Sequence, residues 1–221
     1  MQNSEIIRQL VDGNKLFTQS HNKDFFNSFN QKQNPYITLV TCSDSRVPLN
    51  ALLPDTSNKV FSIQNIGNQI LSTEGSVDYG IYHLKTPVLM ILGHSDCGAI
   101  KAYLKGFNEE TFNIKHELDF LKPLINRYIS EQGFESVLAF VIEKNLDYQV
   151  NIAFKKYRDL ILKDKLTVIA AYYDFNEEFH KGFGKIIIVN VNKQKSENEL
   201  RKLELFEKLS PEEKEYFIAR I

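Results

Sequence analysis

Apolar residues recur along the chain at two different spacings, and the alternation between them lays out a fold. Between residues 4 and 20, Ile6, Ile7, Leu10, Val11, Leu16 and Phe17 fall at near-helical intervals, which predicts an amphipathic helix. More aromatic residues follow from Asp24 to Phe29 before Gln31-Lys32-Gln33-Asn34-Pro35 breaks the pattern, so one or two N-terminal helices are expected outside the main sheet. Short runs rich in β-branched residues then predict strands at about Tyr36 to Thr41, Lys59 to Gln64, Pro87 to Leu92, Leu166 to Tyr172 and Lys185 to Asn190.

The segments between these runs suggest how the strands connect. Thr73 to Leu84 places Val77, Ile81 and Leu84 on one face, with Ser72 or Thr73 as a cap, so a helix should carry the chain from the second strand to the third. Such a crossover favours a parallel sheet. Another helix begins at Cys97-Gly98, one is expected around His116 to Ile129, interrupted or entered at Pro123, and a long one runs from about Glu135 to Leu162. The fifth strand follows the turn Gly182-Phe183-Gly184 and belongs at an edge, after which the sheet stops. The tail from Glu197 to Ile221 reads as helical and charged, and Ser210-Pro211-Glu212-Glu213 has the pattern of a capping box. The expected fold class is α/β: a central, mostly parallel sheet of about four strands plus an edge strand, flanked by helices, with N-terminal amphipathic helices. A single domain spans 1–221, with a helical arm at 1–33, a core at 35–191 and a C-terminal helical extension at 192–221.

Composition narrows the function classes. With 43% hydrophobic residues over 221 positions, the chain can bury a sizeable core. Its 27 basic and 28 acidic residues leave a net charge of −1, which gives no electrostatic reason to expect nucleic acid as a partner. Lys155-Lys156-Tyr157-Arg158 reads as a solvated helix face. The N-terminus lacks a basic segment followed by an apolar run, and no stretch has the length of a membrane span, so a soluble cytoplasmic protein with no membrane partner is expected.

The two cysteines, Cys42 and Cys97, each fall just beyond an apolar run. A disulfide would satisfy both, but without a secretory signal reduced thiols are the better expectation. In open α/β sheets ligands collect at the carboxyl ends of the strands, so Cys42, His94 and Cys97 should converge. Two thiolates and one imidazole suit zinc, and three protein ligands leave a fourth position open, as in catalytic sites. Cys97 also opens a helix, whose dipole should favour its thiolate. Asp44 could accept a hydrogen bond from a metal-bound water while Arg46 holds its carboxylate by a forked pair. The plainer alternatives are a buried His and Cys in an ordinary core, and an ion pair that staples a loop.

The segments Cys42-Ser43-Asp44-Ser45-Arg46-Val47 and Gly93-His94-Ser95-Asp96-Cys97-Gly98-Ala99 closely resemble the two signature segments of the β-class carbonic anhydrases. Asn65-Ile66-Gly67-Asn68 resembles the family's turn between them, and Glu143 to Val150 is more weakly similar to its Glu-x-Asn-Val helix. The resemblance is specific from about Pro35 to Leu104 and extends weakly to about Val191. It implies reversible hydration of carbon dioxide to bicarbonate and a proton by zinc-bound hydroxide. One Zn2+ per subunit would sit on Cys42, His94 and Cys97, with Asp44 and Arg46 as catalytic residues beside the fourth ligand. In a closed form Asp44 itself would take that position.

The resemblance also implies a homodimer, or an assembly of dimers, embraced by the N-terminal helices. Two thiolates make a weaker Lewis acid of the metal, so activity should rise toward alkaline pH. Gln64 stands where many bacterial relatives carry an Arg that helps bind a regulatory bicarbonate, which argues against that site here. His116 and His180 are candidate proton shuttles, although surface or packing roles are commoner for isolated histidines, and His83 reads as structural. Three other readings stay open: a carbon disulfide or carbonyl sulfide hydrolase on the same scaffold, a non-enzymatic zinc-binding scaffold protein, and thiol redox chemistry, against which the lack of a C-x-x-C spacing counts.

Overall fold

A computed structural model describes residues 2–125 and 134–221 and divides the chain into two compact units, Met1–Asn34 and Pro35–Ile221. The first contains α1 (Asn3–Ser20) and α2 (Lys23–Asn27). The Glu5 carboxylate accepts a 2.7 Å hydrogen bond from the Gln2 amide at the start of α1, and the Asn22 side chain caps α2 by accepting from the Phe25 N–H. Extended backbone at His21 separates the helices, and the His21 ring packs 4.2 Å from Phe17 and 4.1 Å from Phe25 between ring centroids. The apolar stripe expected on α1 is present and exposed, Leu10 at 64% and Leu16 at 68%.

The second unit is built on five strands: β1 (Ile37–Cys42), β2 (Val60–Asn65), β3 (Val88–His94), β4 (Thr167–Asp174) and β5 (Lys185–Val191). They form one sheet in the order β2-β1-β3-β4-β5. Neighbours from β2 to β4 are parallel and β5 is antiparallel to β4. The helices are α3 (Glu74–Asp78), α4 (Gly98–Lys105), α5 (Phe112–Asp119), α6 (Lys122–Ile125), α7 (Phe134–Lys156), α8 (Arg158–Ile161), α9 (Glu197–Leu200) and α10 (Pro211–Phe217).

All five strands run one or two residues past their expected ends. Backbone pairing joins Cys42 to Asn65 and His94 to Tyr173, and a ladder of N–H and C=O groups continues through residues whose side chains carry no apolar signal. Cys42 and His94 are thereby fixed by the sheet itself.

The helices depart further from expectation. The crossover after β2 is a short α3 followed by a π turn at Tyr79–His83. Gly80 lies there so close to Thr38 on β1 that a Cβ would overlap it. Thr73 occupies the cap position, but its hydroxyl donates instead to the Gln69 carbonyl at 3.1 Å. The long helix ends at Lys156, because Tyr157 leaves helical geometry to bury its ring and donate to Asp78 at 2.7 Å. Lys156 pairs with Asp78 at 2.9 Å as well as with Glu74, so of the basic run expected to be solvated Lys155 and Arg158 are exposed and Lys156 is engaged. Of the helix expected at 116–129, residues up to Ile125 form parts of α5 and α6, and residues 126–129 lie outside the described residues.

The tail is only partly helical. The capping box closes at α10, Ser210 N–H to Glu213 at 2.8 Å and Glu213 N–H to Ser210 at 3.1 Å. Beyond it Ile218 turns extended and pairs with Ile188, which covers part of the β5 edge. Arg220 then enters the core, forking onto Asp147 of α7 at 3.0 and 2.9 Å and reaching Glu143 at 2.6 Å. Glu143 is fully buried, and burial pushes its carboxyl up while Arg220 opposes that. Arg220→Met leaves both carboxylates without their guanidinium and should lower unfolding free energy by about 3–5 kcal/mol, the scale for breaking a buried pair on one side. Urea denaturation checks this, and a loss below about 1 kcal/mol, the range of exposed pairs, would contradict it.

Candidate metal centre

β1 and β3 are adjacent and parallel, with Thr41 opposite Leu92, so Cys42 and His94 both come at the carboxyl ends of neighbouring strands. Two residues after Ser95 the chain starts α4, with Cys97 at its N-cap. The two sulfurs and an imidazole nitrogen of Cys42, His94 and Cys97 all lie within 4.8 Å of one another, and all three residues are buried. Both cysteines are free thiols. This is the convergence expected from the strand ends.

The imidazole is committed on one side only. Its Nδ1 lies 2.8 Å from the Ser95 carbonyl; a carbonyl can only accept, so Nδ1 carries the proton and Nε2 presents a lone pair. Nε2 is buried without a hydrogen-bond partner, a costly state for a polar atom in a protein interior. Together with two sulfur donors, it fits a borderline-soft divalent ion.

The thiols are tuned by their surroundings. Cys42 is lowered chiefly by a hydrogen bond from Cys97, with further help from His94 and the Gly67 N–H, against the cost of burial. Cys97 is raised by that same bond, by deeper burial and by the charge on Cys42, while the N–H groups of Ala99 and Ile100 at the start of α4 act the other way. The start of α4 thus favours the Cys97 thiolate, the direction expected of a helix N-terminus, while burial and a neighbouring anion oppose it.

Gly67 supplies its N–H from the turn after β2, where its φ is +83° and a Cβ would come within 3.2 Å of Ala99, so glycine is needed twice over. Asn65 closes this turn, accepting from Gln69 N–H at 2.7 Å and donating to the Gln69 carbonyl at 2.6 Å. From α7, Asn145 donates to the Gly67 carbonyl at 3.1 Å and Gln149 accepts from Ile70 N–H at 3.0 Å.

Asp44 and Arg46 flank the cluster. Arg46 donates through Nε to Oδ1 at 2.9 Å and through Nη2 to Oδ2 at 2.7 Å, and its own backbone N–H adds a third bond at 2.9 Å. This fork holds the Asp44 carboxyl well below the usual carboxylate range. Oδ2 of Asp44 stands 3.9 Å from His94 Nε2.

Two neighbours carried no role in the sequence reading. Asp96 accepts from Arg46, and the Phe175 ring lies 5.0 Å from the Arg46 guanidinium carbon and 6.0 Å from the His94 ring. Phe175 follows β4 directly, and its place at a strand end was the available signal. His83 stacks on Tyr79 and His116 packs against Phe112 and Phe120; neither they nor His180 join the cluster. Gln64 is exposed on β2.

The Asp44 pair has a measurable linkage. Its folded pKa lies below the unfolded value of about 3.9, so its contribution to stability is complete above that pH and is lost as pH falls through the folded value. In metal-free protein the urea midpoint of Asp44→Asn should lie below that of wild type at neutral pH, and the gap should narrow steadily below about pH 4. A gap that stays constant into acid would contradict the pairing.

Comparison with known proteins agrees with this geometry. The carbonic anhydrase family model matches residues 37–180. A carbonic anhydrase of Helicobacter pylori (strain J99) is 28% identical over 171 residues, covering 68% of this chain and 77% of that one. One from Synechococcus elongatus is 35% identical over 109 residues, and the match spans 45% of this chain and only 40% of the relative's length. Among solved structures, a tetrameric beta-carbonic anhydrase from Sordaria macrospora superposes with a TM-score of 0.71 at 21% identity, covering 85% of this chain and 98% of its own. The beta-carbonic anhydrase CafA of Aspergillus fumigatus gives 0.70 at 21% identity, over 90% and 94%. With the family match spanning β1 to the turn beyond β4, the chain belongs to the β-class carbonic anhydrases, a family of enzymes.

Proposed function

We propose that this protein catalyses the reversible hydration of carbon dioxide to bicarbonate and a proton, using one zinc ion per subunit held by Cys42, His94 and Cys97. The observation that carries this reading is the buried, unpartnered Nε2 of His94 facing two thiols. Bound there, zinc supplies the Lewis acidity that makes water a nucleophile near neutral pH.

The chain's own residues do the rest. Two thiolates and a neutral imidazole compensate a divalent charge in a buried site. Asp44, kept ionised by Arg46, can only accept, so it receives a hydrogen bond from the attacking water and turns the remaining lone pair toward carbon. The water oxygen bonds to that carbon, the electron pair of one C=O π bond moves onto its oxygen to give the anionic oxygen of bicarbonate, and the water's O–H bond breaks to release a proton. Because Arg46 makes Asp44 a weak base, that proton goes on to solvent or buffer and is not stored on Asp44. Two thiolate ligands also favour faster turnover at alkaline pH.

Residues 35–191 serve as the catalytic core, 1–33 as an arm and 192–221 as an extension. The exposed apolar stripe of α1 is proposed to be covered by a second copy of the chain. The thiol ligands suit the reducing cytoplasm.

Stopped-flow hydration of carbon dioxide at alkaline pH, on protein of measured zinc content, tests the activity. Wild type should turn over in proportion to zinc, and Cys42→Ser should lose about a hundredfold or more, beyond the 10–100-fold typical of residues that merely support a ligand. Zinc-loaded protein that is inert toward carbon dioxide yet hydrolyses carbonyl sulfide or carbon disulfide would overturn the assignment. For the assembly, light scattering at micromolar concentration should give a dimer or a multiple of one, and a monomer would contradict it.

A further inference from the structure

Arg46 uses more donors than its pairing with Asp44 requires. Nη1 donates to Asp96 Oδ2 at 2.9 Å, and Nη2 donates to the Asp96 carbonyl at 3.1 Å. Asp96 lies between His94 and Cys97, in left-handed backbone with φ +58°, and this residue contributes both its carboxylate and its carbonyl to the same guanidinium. Its other carboxylate oxygen pairs with Lys101 on α4, and Phe175 covers the guanidinium from the end of β4. A row of alternating charges, Asp44, Arg46, Asp96 and Lys101, therefore runs from the cluster to the surface. It joins the segment carrying Cys42 to the segment carrying His94 and Cys97.

We propose that Asp96 is a positioning residue: by gripping the far side of Arg46 it fixes where Asp44 stands and ties the two ligand-bearing segments together. A guanidinium held by one carboxylate can swing about that contact, whereas one held by two on opposite sides cannot, because its donors form a rigid planar fork. Orientation of the group that receives the water's hydrogen bond affects rate steeply. Lys101 supports Asp96 from outside and should contribute in the same direction but less.

This inference rests on the proposed carbon dioxide hydration, and the experiment separates the two. Asp96→Asn, Arg46→Met and the double variant are compared with wild type in two readouts: kcat/KM for hydration, and the chelator concentration that removes half the zinc. Asn tolerates the left-handed backbone and keeps an acceptor while losing the charge, so folding is preserved. Asp96→Gly, which adopts that φ freely, controls for the turn itself.

Asp96→Asn and Asp96→Gly should each lower kcat/KM about tenfold, the size expected for losing an oriented charge-assisted contact, and weaken zinc retention several-fold. In the Arg46→Met background Asp96→Asn should change neither readout further, since Asp96 acts only through Arg46. The inference is overturned if an active wild type is matched by Asp96→Asn, if Asp96→Asn costs the same in the Arg46→Met background, or if the two readouts are unmoved while thermal stability falls. A zinc-loaded wild type without hydration activity overturns the proposed function instead. In that case the zinc-retention cycle still decides whether Asp96 ties the segments, additive losses counting against it.

Discussion

The parallel register of β1 on β3 is the constraint from which the site follows. Thr41 pairs with Leu92, which brings Cys42 and His94 to the same end of the sheet, within reach of each other. A slip of one residue would reverse the faces on one strand relative to the other and carry its side chains into the opposite layer. Leu39, Val40, Leu89 and Ile91 are fully buried, so such a slip would expose core residues on both sides of the sheet. The same burial that fixes the register fixes the two strand-borne residues, Cys42 and His94, and the turn at Ser95–Asp96 brings Cys97 to them at the start of α4.

Around this edge polar groups are arranged to hold one another. α7 sends Asn145 and Gln149 to the turn beneath Cys42, and Glu143 and Asp147 to Arg220 in the tail. Asn190 adds a 2.7 Å bond to Asp147. Buried carboxylates of this kind are costly alone and near neutral when paired; their consequence here is that one helix locks the loop under the site to the last residues of the chain. Behind His94, the Ser95 hydroxyl lies 3.1 Å from Asp174 and 3.2 Å from Glu178, so the segment between the two ligand-bearing residues is anchored in β4 and the turn after it.

Much of this is legible in the sequence. All five strands show as β-branched runs, and the trio of Cys42, His94 and Cys97 shows because the chain's two cysteines both fall just beyond such runs. Strand ends are misjudged by one or two residues, since Cys42, Asn65 and His94 pair through their backbones whatever their side chains. The break at Tyr157 is hidden because a buried tyrosine with a partner looks like any apolar position in a helical pattern. Arg220 is hidden for the opposite reason: an arginine near the end of a charged tail reads as solvated, and only its three-dimensional neighbours, distant in sequence, make it a core residue. Asp96 lies in a recognisable motif, yet its role depends on a left-handed backbone and a partner fifty positions away, neither of which periodicity records.

The central claim is the donor set, and zinc K-edge X-ray absorption of the protein as isolated tests it most directly. The account predicts one zinc per chain, with two sulfur neighbours at about 2.3 Å and lighter atoms at about 2.0–2.1 Å, one of them with the outer scattering of an imidazole. A shell without sulfur, or one of four sulfurs, would contradict it.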